Sequence, residues 1–593
     1  MTAHAPCPRL LSLLFAPLAI AGSAAVAPWV RALLALSAIA GANLRAAPHF
    51  TREDERAVKF GVHEIRFRNE GYTGNPFDIP IRVTFTPASG AGGAKTVDAF
   101  YDGETTWAAR VYVSEPGRWR WSVDAPAGPG VTARAGEFRA GPSTLRGRLL
   151  PHTRNPRQWM TEDGRWFLNL NDTAYFLFSP ADTMGRRIGF DDFATYVRHV
   201  QMQGITSLRA WLVFDRDGRW SDEMPEPWVG SYFTDGSGTQ LCVGNFQRTD
   251  ERMSWLLNHA PDVYLQLIML PRGSRYGKDE EAWRTFSPEV KQRVLRHIVA
   301  RYAAFPQVYW LAVNDAHYGK GFPHHNTLAR EVGEYLKRHD PWQHPYSTGP
   351  ARQLDAVFAH EPWCDYVHLE RRIDLAARAL PAYLPANKPI LNGEDYYEQD
   401  HLRTDPDHMS YFQRRLFWAW LFSGGSANYG GRWNVLHPYR LTEGREYERP
   451  RRRPDEIVYT AGLHGLDSVP HLTRYFDATR LDLGDFEPDT ARVGAPDKQT
   501  PEGEPKLMRR GMQEWLVYHP NAAADGKTAN VAADRTAKIR LDLRGVSGAL
   551  RIEWYRPADG LVLTQGTVDG GAQREFSAPW IGHDVVLRLS ATK

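Results

Sequence analysis

The chain has 593 residues, enough for roughly three or four domains at about 150 residues each. Hydrophobic residues are 42% and charged residues 24%, which excludes a disordered or collagenous chain. The net charge is +3, and the sequence has neither a basic stripe nor a recognition motif, which sets nucleic-acid binding aside.

Residues 1–47 hold no Asp or Glu and only Arg9, Arg31 and Arg45 as formal positive charges, among apolar stretches around Leu10–Ile20 and Ala32–Ala40. They read as a secretory leader cleaved near Ala42 or Ala46-Ala47, so the protein is expected to be exported, periplasmic or extracellular. Neither apolar stretch reaches the ~18 uninterrupted residues of a spanning helix, so no membrane span is expected in the mature protein. Without the leader's arginines the chain carries 69 basic and 69 acidic residues. Cys242 and Cys364 then remain, and their pairing is open.

Residues 48–142 alternate with period two at His63–Phe67, Ile79–Phe85 and Arg118–Val123, with Gly and Pro between. This predicts an N-terminal β-sandwich. From 150 to 472 strands alternate with helices. Strands are expected at Trp166–Leu170, Ser207–Val213, Val263–Leu270, Val308–Val313, Pro345–Thr348, Asp365–Leu369, Pro389–Leu391 and Trp418–Phe422. One helix carries Phe193, Tyr196, Val197 and Val200 on a face, with Asp191 as its expected N-cap; another opens with Ser287-Pro288-Glu289. Eight strands over this span fit a (β/α)8 barrel, and no Gly-rich phosphate turn follows the first strand. Residues 475–593 return to alternation, predicting a C-terminal β-sandwich. The fold class is therefore multidomain, a central barrel flanked by two β-sandwiches. The basic run Arg449–Arg453 reads as a solvated loop.

In such a barrel the working residues hang from the carboxyl ends of the strands. Those ends offer Asn171-Asp172-Thr173, Arg209 and Trp211, Gln266, Asn314-Asp315-Ala316-His317, His368 and Glu370, Asn392-Gly393-Glu394, and Asn428-Tyr429-Gly430-Gly431. The set lacks a nucleophile elbow, a phosphate loop and a zinc-peptidase His pair, so no metal or organic cofactor is expected. Two carboxylates facing one mouth are what glycoside hydrolysis needs: one protonates the departing oxygen and the other attacks the anomeric carbon or activates water. Asp315 closes strand four and Glu394 closes strand seven, where clan A glycoside hydrolases place acid/base and nucleophile. Asn314-Asp315 resembles that clan's Asn-Glu pair with a shorter acid.

The local words sharpen the resemblance. Phe167-Leu168-Asn169-Leu170-Asn171-Asp172-Thr173-Ala174-Tyr175 resembles the first barrel strand of the apiosidase-like glycoside hydrolases, aromatic-Leu-x-Gly-Asp-Thr-Ala-Trp. Pro389-Ile390-Leu391-Asn392-Gly393-Glu394-Asp395-Tyr396-Tyr397-Glu398 resembles their Pro-x-Leu-x-Gly-Glu-x-x-Tyr-Glu segment. The resemblance implies a retaining enzyme acting on a polysaccharide or oligosaccharide, with Asp315 as acid/base and Glu394 as nucleophile. Val313-Asn314-Asp315 stands where the family has Gly-Gly-Asp, and Asn171 replaces a glycine; both departures lie close to the sugar, so apiose specificity does not carry over. Asn75-Pro76-Phe77, Phe100–Gly103 and Glu115–Trp119 resemble the N-terminal sandwich attached to such barrels. Trp554-Tyr555-Arg556-Pro557-Ala558-Asp559-Gly560 resembles a C-terminal domain named for collagen binding, read here as a packing domain.

Asn314 is expected to touch a hydroxyl beside the anomeric centre. Asp172, Arg209 and Gln266 are candidates to bind hydroxyls or hold the carboxylates, with an interior polar network as the alternative. Tyr397 is a candidate to orient Glu394. His317, His368 and Asn428 are candidate subsite residues, and Trp211 and Trp433 candidate stacking platforms. The rival from another class is a noncatalytic surface adhesin holding glycan or collagen.

Overall fold

The computed structural model describes residues 48–592 apart from 54, 91, 125–129, 181–186, 213–238, 271–282, 352–353, 372, 396, 399–405, 432–463, 497–502 and 524–529. The expected leader, Trp433 and the basic run at 449–453 lie outside the described residues. No helix among the described residues is long and apolar enough to cross a membrane.

Eight parallel strands form one sheet: β1 (Leu170–Thr173), β2 (Ser207–Trp211), β3 (Tyr264–Leu270), β4 (Val308–Val313), β5 (Tyr346–Ser347), β6 (Val367–Leu369), β7 (Ile390–Asn392) and β8 (Ser426–Tyr429). The order β5-β4-β3-β2-β1-β8-β7-β6 brings the first strand beside the last, Leu170 opposite Ala427. At the remaining seam, between β5 and β6, Asp365 N donates to Tyr346 O at 2.7 Å and Tyr346 N to Asp365 Oδ2 at 3.0 Å, nearly closing the barrel. β3 and β4 are buried at every position, which is why they read as apolar runs, broken only by Gln266 in β3, instead of alternating ones.

Helices Phe190–Met202, Val243–His259, Pro288–Tyr302 and Pro323–His339 follow β1, β2, β3 and β4. The side chain of Ser287 caps the third of these by accepting from Val290 N, and Pro288 occupies its first turn, as the Ser-Pro-Glu word requires. Asp191 is not a cap: the helix begins at Phe190 after Gly189, whose N–H donates to Asp192 Oδ2 at 2.9 Å.

The expected strand at Trp418–Phe422 is instead the end of the helix Pro406–Leu421, and β8 follows it. The helix lies between the barrel and the C-terminal sheets, with Trp418 stacked on Phe476 at 5.9 Å and on Tyr518 at 6.1 Å. From Leu416 to Leu421 every residue is buried and apolar, so this last part has no polar face to mark a helical period.

Before the barrel lie a four-stranded sheet (Phe50–Arg52, Val62–Arg68, Thr106–Tyr112, Phe100–Gly103) and a five-stranded one (Ala57–Val58, Ala135–Gly141, Gly117–Asp124, Arg82–Pro87, Lys95–Asp98). Arg110 ties this region to the barrel: fully buried, it donates to Glu64 at 2.8 Å and to Asp250 on helix Val243–His259 at 2.6 Å. After the barrel a six-stranded and a three-stranded sheet share an apolar core that includes Trp515, Trp554, Ile539 and Phe576. Arg414 fastens the helix Pro406–Leu421 to Asp584 of that region at 2.9 Å. Cys242 and Cys364 are both free thiols.

Candidate active site

Asp315 stands two residues past the end of β4 with φ +58°, a left-handed conformation that Asp tolerates better than most side chains. Asn314 Nδ2 donates to its Oδ2 at 3.1 Å. Glu394 stands two residues past the end of β7, after Gly393. Glycine is required there: a Cβ on Gly393 would meet His368 Cε1 at 1.8 Å, so the imidazole lies close against the backbone that carries Glu394. A carboxylate oxygen of Asp315, one of Glu370 from the end of β6 and one of Glu394 all lie within 4.8 Å of one another. Both glutamates are buried and Asp315 is half-buried.

Arg209 of β2 holds the buried side of this group. Its guanidinium bonds Glu394 Oε2 and the Tyr175 hydroxyl, and reaches Glu370 Oε1 at 3.3 Å. Tyr175 in turn donates to Glu394 Oε2 at 2.6 Å and lies 3.2 Å from Asn314 Oδ1. Burial alone would loosen the Arg209 proton, but the acidic groups of Tyr175, Glu394 and Glu370 reverse this and hold it well above its ordinary value. Burial, followed by the carboxylates of Glu394 and Asp315 and against the pull of Arg209, pushes the Tyr175 phenol well above the usual range, so it serves as a donor.

His368 of β6 is fully buried between these groups and Gln266 of β3. Gln266 Nε2 lies 3.1 Å from His368 Nδ1, while His368 Nε2 faces Arg209 Nη1 at 3.4 Å and Glu370 Oε1 at 3.5 Å. Burial, then the neighbouring Arg209 charge, holds the imidazole well below its ordinary value and therefore neutral, against the opposing Glu394 charge.

Asp315, Glu394, Arg209, Asn314, Gln266 and His368 thus converge. Tyr397 joins them one step removed, donating to the Tyr175 hydroxyl at 3.3 Å. Asp172 turns to the helix Phe190–Met202, where Tyr196 donates to its Oδ2 at 2.5 Å. Trp211 is 3% exposed and stacks on Tyr175 at 4.5 Å, backing the ring that bonds Glu394. Asn428 donates to Thr173 Oγ1 at 3.0 Å, joining β8 to β1. His317 packs near Phe322 at 5.0 Å, and its carbonyl faces His325 Nδ1 at 2.6 Å.

Three side chains carry more of the site than their sequence signal suggested. Tyr175 stands where the family has Trp, and only the hydroxyl distinguishes it. Glu370 is visible as a strand end but pairs with no motif. Glu398 accepts from Tyr429 Oη at 2.7 Å and from the backbone N–H groups of His464 and Gly465 at 2.7 and 2.9 Å, tying β8 to the start of the next described segment; burial raises its carboxyl above the usual range, against those bonds.

An eight-stranded parallel barrel with buried carboxylates, amides and an arginine converging beyond its strand ends defines the class: the protein is a glycoside hydrolase. Residues 153–457, just over half of the chain, match the family described as Apiosidase-like, catalytic domain, and the chain belongs to that family. Residues 56–126 match a domain of unknown function, DUF5060. The fold is similar to that of a candidate glycoside hydrolase from Bacteroides vulgatus ATCC 8482, at 17% identity and TM-score 0.63, covering 92% of this chain and 100% of that one. A family 5 glycoside hydrolase from the same organism is similar at 15% identity and TM-score 0.52, covering 75% and 94%. Another structure described as a glycoside hydrolase gives 15% identity and TM-score 0.54, covering 75% and 97%. No curated protein matches the chain.

Proposed function

We propose that the protein is an exported, retaining O-glycoside hydrolase acting on a polysaccharide or oligosaccharide, with Asp315 as acid/base and Glu394 as nucleophile. The observation that carries this reading is the carboxylate separation: oxygens of Asp315 and Glu394 lie within 4.8 Å. Retaining glycosidases hold their two carboxyl groups about 5–5.5 Å apart, so that one reaches the anomeric carbon itself; inverting enzymes leave about 6.5–9.5 Å for a water.

In this reading Asp315 protonates the glycosidic oxygen while Glu394 Oε attacks the anomeric carbon, forming a glycosyl-enzyme and releasing the aglycone. Asp315, now ionised, takes a proton from water, which attacks the same carbon and frees Glu394. Arg209 and Tyr175 aim Glu394 and stabilise its charge when it leaves. Asn314, held by Tyr175 and bonded to Asp315, is placed to touch a hydroxyl beside the anomeric centre. His317, Asn428 and Trp433 are assigned to sugar subsites, while Asp172, Trp211 and Gln266 hold the machinery in place. The flanking sheets are read as β-sandwiches, at 48–142 and 475–593, that pack on a catalytic barrel at 150–472.

Incubation with a panel of plant and algal polysaccharides tests the reading. Release of sugars whose first-formed anomer matches the substrate supports it. Inverted product rejects the assignment of Glu394 as nucleophile, and release of no sugar from any member rejects the activity.

A further inference from the structure

A groove of about 810 Å³ opens at the amino ends of β1, β2 and β3, away from the carboxylates. Leu168, Thr206 and Val263 line it just ahead of those strands, and Thr473, Asp477 and Arg480 line it from the helix Val469–Thr479 and its cap. Its volume lies within the range of ligand sites, about 300–1,000 Å³. The seven residues of β3, at about 3.3 Å each, put roughly 20 Å of strand between this groove and the carboxyl ends that carry the candidate active site.

The two sides of the groove are held together: Gly204, at φ +76°, has no room for a Cβ, which would meet Thr473 Cγ2 at 2.8 Å. Trp166 and Leu168 are half-buried at its wall, and Trp166 is fixed by its Nε1, which donates to Gln158 Oε1 at 3.2 Å, and by Phe476 at 5.1 Å. Gln201, Asp262, Asp477 and Arg480 are exposed around it, and their side chains make no hydrogen bond or ion pair among the described residues. Arg480 caps its helix at φ +53°, a left-handed position that suits glycine and strains an arginine. The lining carries three arginines (Arg146, Arg165 and Arg480) and three aspartates (Asp262, Asp477 and Asp482), so it selects neither an anion nor a cation. An indole beside donors and acceptors of both signs suits a neutral sugar, whose C–H face packs on the ring while its hydroxyls donate to carboxylates and accept from guanidinium and amide.

We propose that this groove is a noncatalytic binding site for a neutral glycan segment, with Trp166 as its apolar wall and Gln201, Asp262, Asp477 and Arg480 bonding the hydroxyls. That the glycan is the enzyme's own substrate rests on the functional reading above: a polysaccharide held here presents its other segments to the mouth at raised local concentration.

Affinity electrophoresis tests the site, in gels holding β-glucan, galactomannan, xylan or arabinan in turn, with polygalacturonate as the charged comparison. The Glu394→Gln protein is used so that the polymer stays intact. At least one neutral polymer is expected to retard it, and adding Asp477→Ala and Arg480→Gly is expected to weaken that binding tenfold or more. Glycine relieves the left-handed cap, so the melting temperature should not fall, which separates lost binding from lost fold. With Glu394 intact, the same two substitutions should leave kcat and KM on an aryl glycoside unchanged and raise KM on the retarding polymer several-fold. No retardation by any neutral polymer, retardation unchanged by the two substitutions, or groove-dependent retardation that is stronger in polygalacturonate each overturns the proposal. An unmoved KM on the polymer overturns the delivery role. Groove-dependent retardation without hydrolysis of any glycoside overturns the functional reading and leaves the groove standing.

Discussion

Arg209 and Glu394 are joined, guanidinium to carboxylate, at the mouth of the barrel with 0% and 2% of their side chains exposed. Strands β2 and β7 are separated in the sheet by β1 and β8, so this bond spans the barrel interior instead of running along the sheet. A long side chain from one wall supports the acid on the other. The same guanidinium reaches Glu370, and Tyr175 completes the wedge.

Arg209→Met keeps much of the volume and removes the charge that two buried carboxylates accept from. Breaking a buried pair on one side costs about 3–5 kcal/mol. Urea denaturation should show a loss of that order, partly recovered in the double variant Arg209→Met/Glu394→Gln, which removes one of the stranded charges. A single variant as stable as wild type would show that the ion pair carries no net stabilisation.

Asp315→Ala distinguishes the two carboxylates kinetically. Loss of the acid should matter least for aryl glycosides whose leaving group needs little protonation. Added azide should restore part of the rate by attacking the glycosyl-enzyme in place of activated water. Glu394→Gln should instead abolish turnover on every substrate. The measurement is kcat across a series of leaving groups, with and without azide; equal losses on good and poor leaving groups, with no azide effect, would remove Asp315 from the acid/base role.

Gly393→Ala tests the packing under the nucleophile. The added methyl would overlap His368 Cε1 at 1.8 Å, so the ring must swing away from Gln266 and Glu370 or the backbone must lift Glu394. Either displacement approaches an ångström, which at a reacting centre costs on the order of 100-fold in rate. Steady-state kcat beside a thermal melt separates this from unfolding: a large rate loss with the fold retained is expected, and wild-type kcat would contradict the close approach.

The barrel was legible because its parallel strands are buried on both faces, so β3 and β4 stand out as apolar runs between helix caps such as Ser287. The chemistry-bearing strand ends followed from those positions, and carboxylate oxygens of Asp315 and Glu394 lie within 4.8 Å of one another. The helix Pro406–Leu421 failed for the same physical reason that the strands succeeded: complete burial erases periodicity, and Leu416–Phe422 reads alike as strand or helix. Side-chain direction was also hidden. Asp172 sits one residue from Asn171, yet Asn171 meets Tyr309 and Ser207 while Asp172 meets Tyr196, since successive strand residues face opposite ways. Tyr175 ends the first-strand word without announcing its role, and Glu370 carries no word at all; only the barrel brings β1, β2, β6 and β7 to one point.

The last prediction concerns acid stability and lies far from the mouth, in strand Val62–Arg68. His63 is fully buried, and burial, opposed by the charge of Glu64, lowers its pKa to about 4. The unfolded chain takes up this proton near pH 6.5 while the folded chain refuses it, so stability is full above about 6.5 and is lost as pH falls toward 4. Glu64 behaves differently. Burial raises its pKa, but Arg110, Arg66 and Arg52 outweigh burial and bring it to about 2. Its contribution persists above the unfolded value of about 4.5 and is lost as pH falls from there to 2. The two windows barely overlap, so the melting temperature should decline in two stages. The first, near pH 6.5–4, is worth about 3 kcal/mol at most from His63. His63→Gln should flatten that first stage and leave the second, which reports Glu64 and Arg110, in place. Melting temperatures measured from pH 8 to pH 3 in both proteins decide the matter: if the variant declines as steeply as wild type between pH 6.5 and 4, the loss there comes from another group.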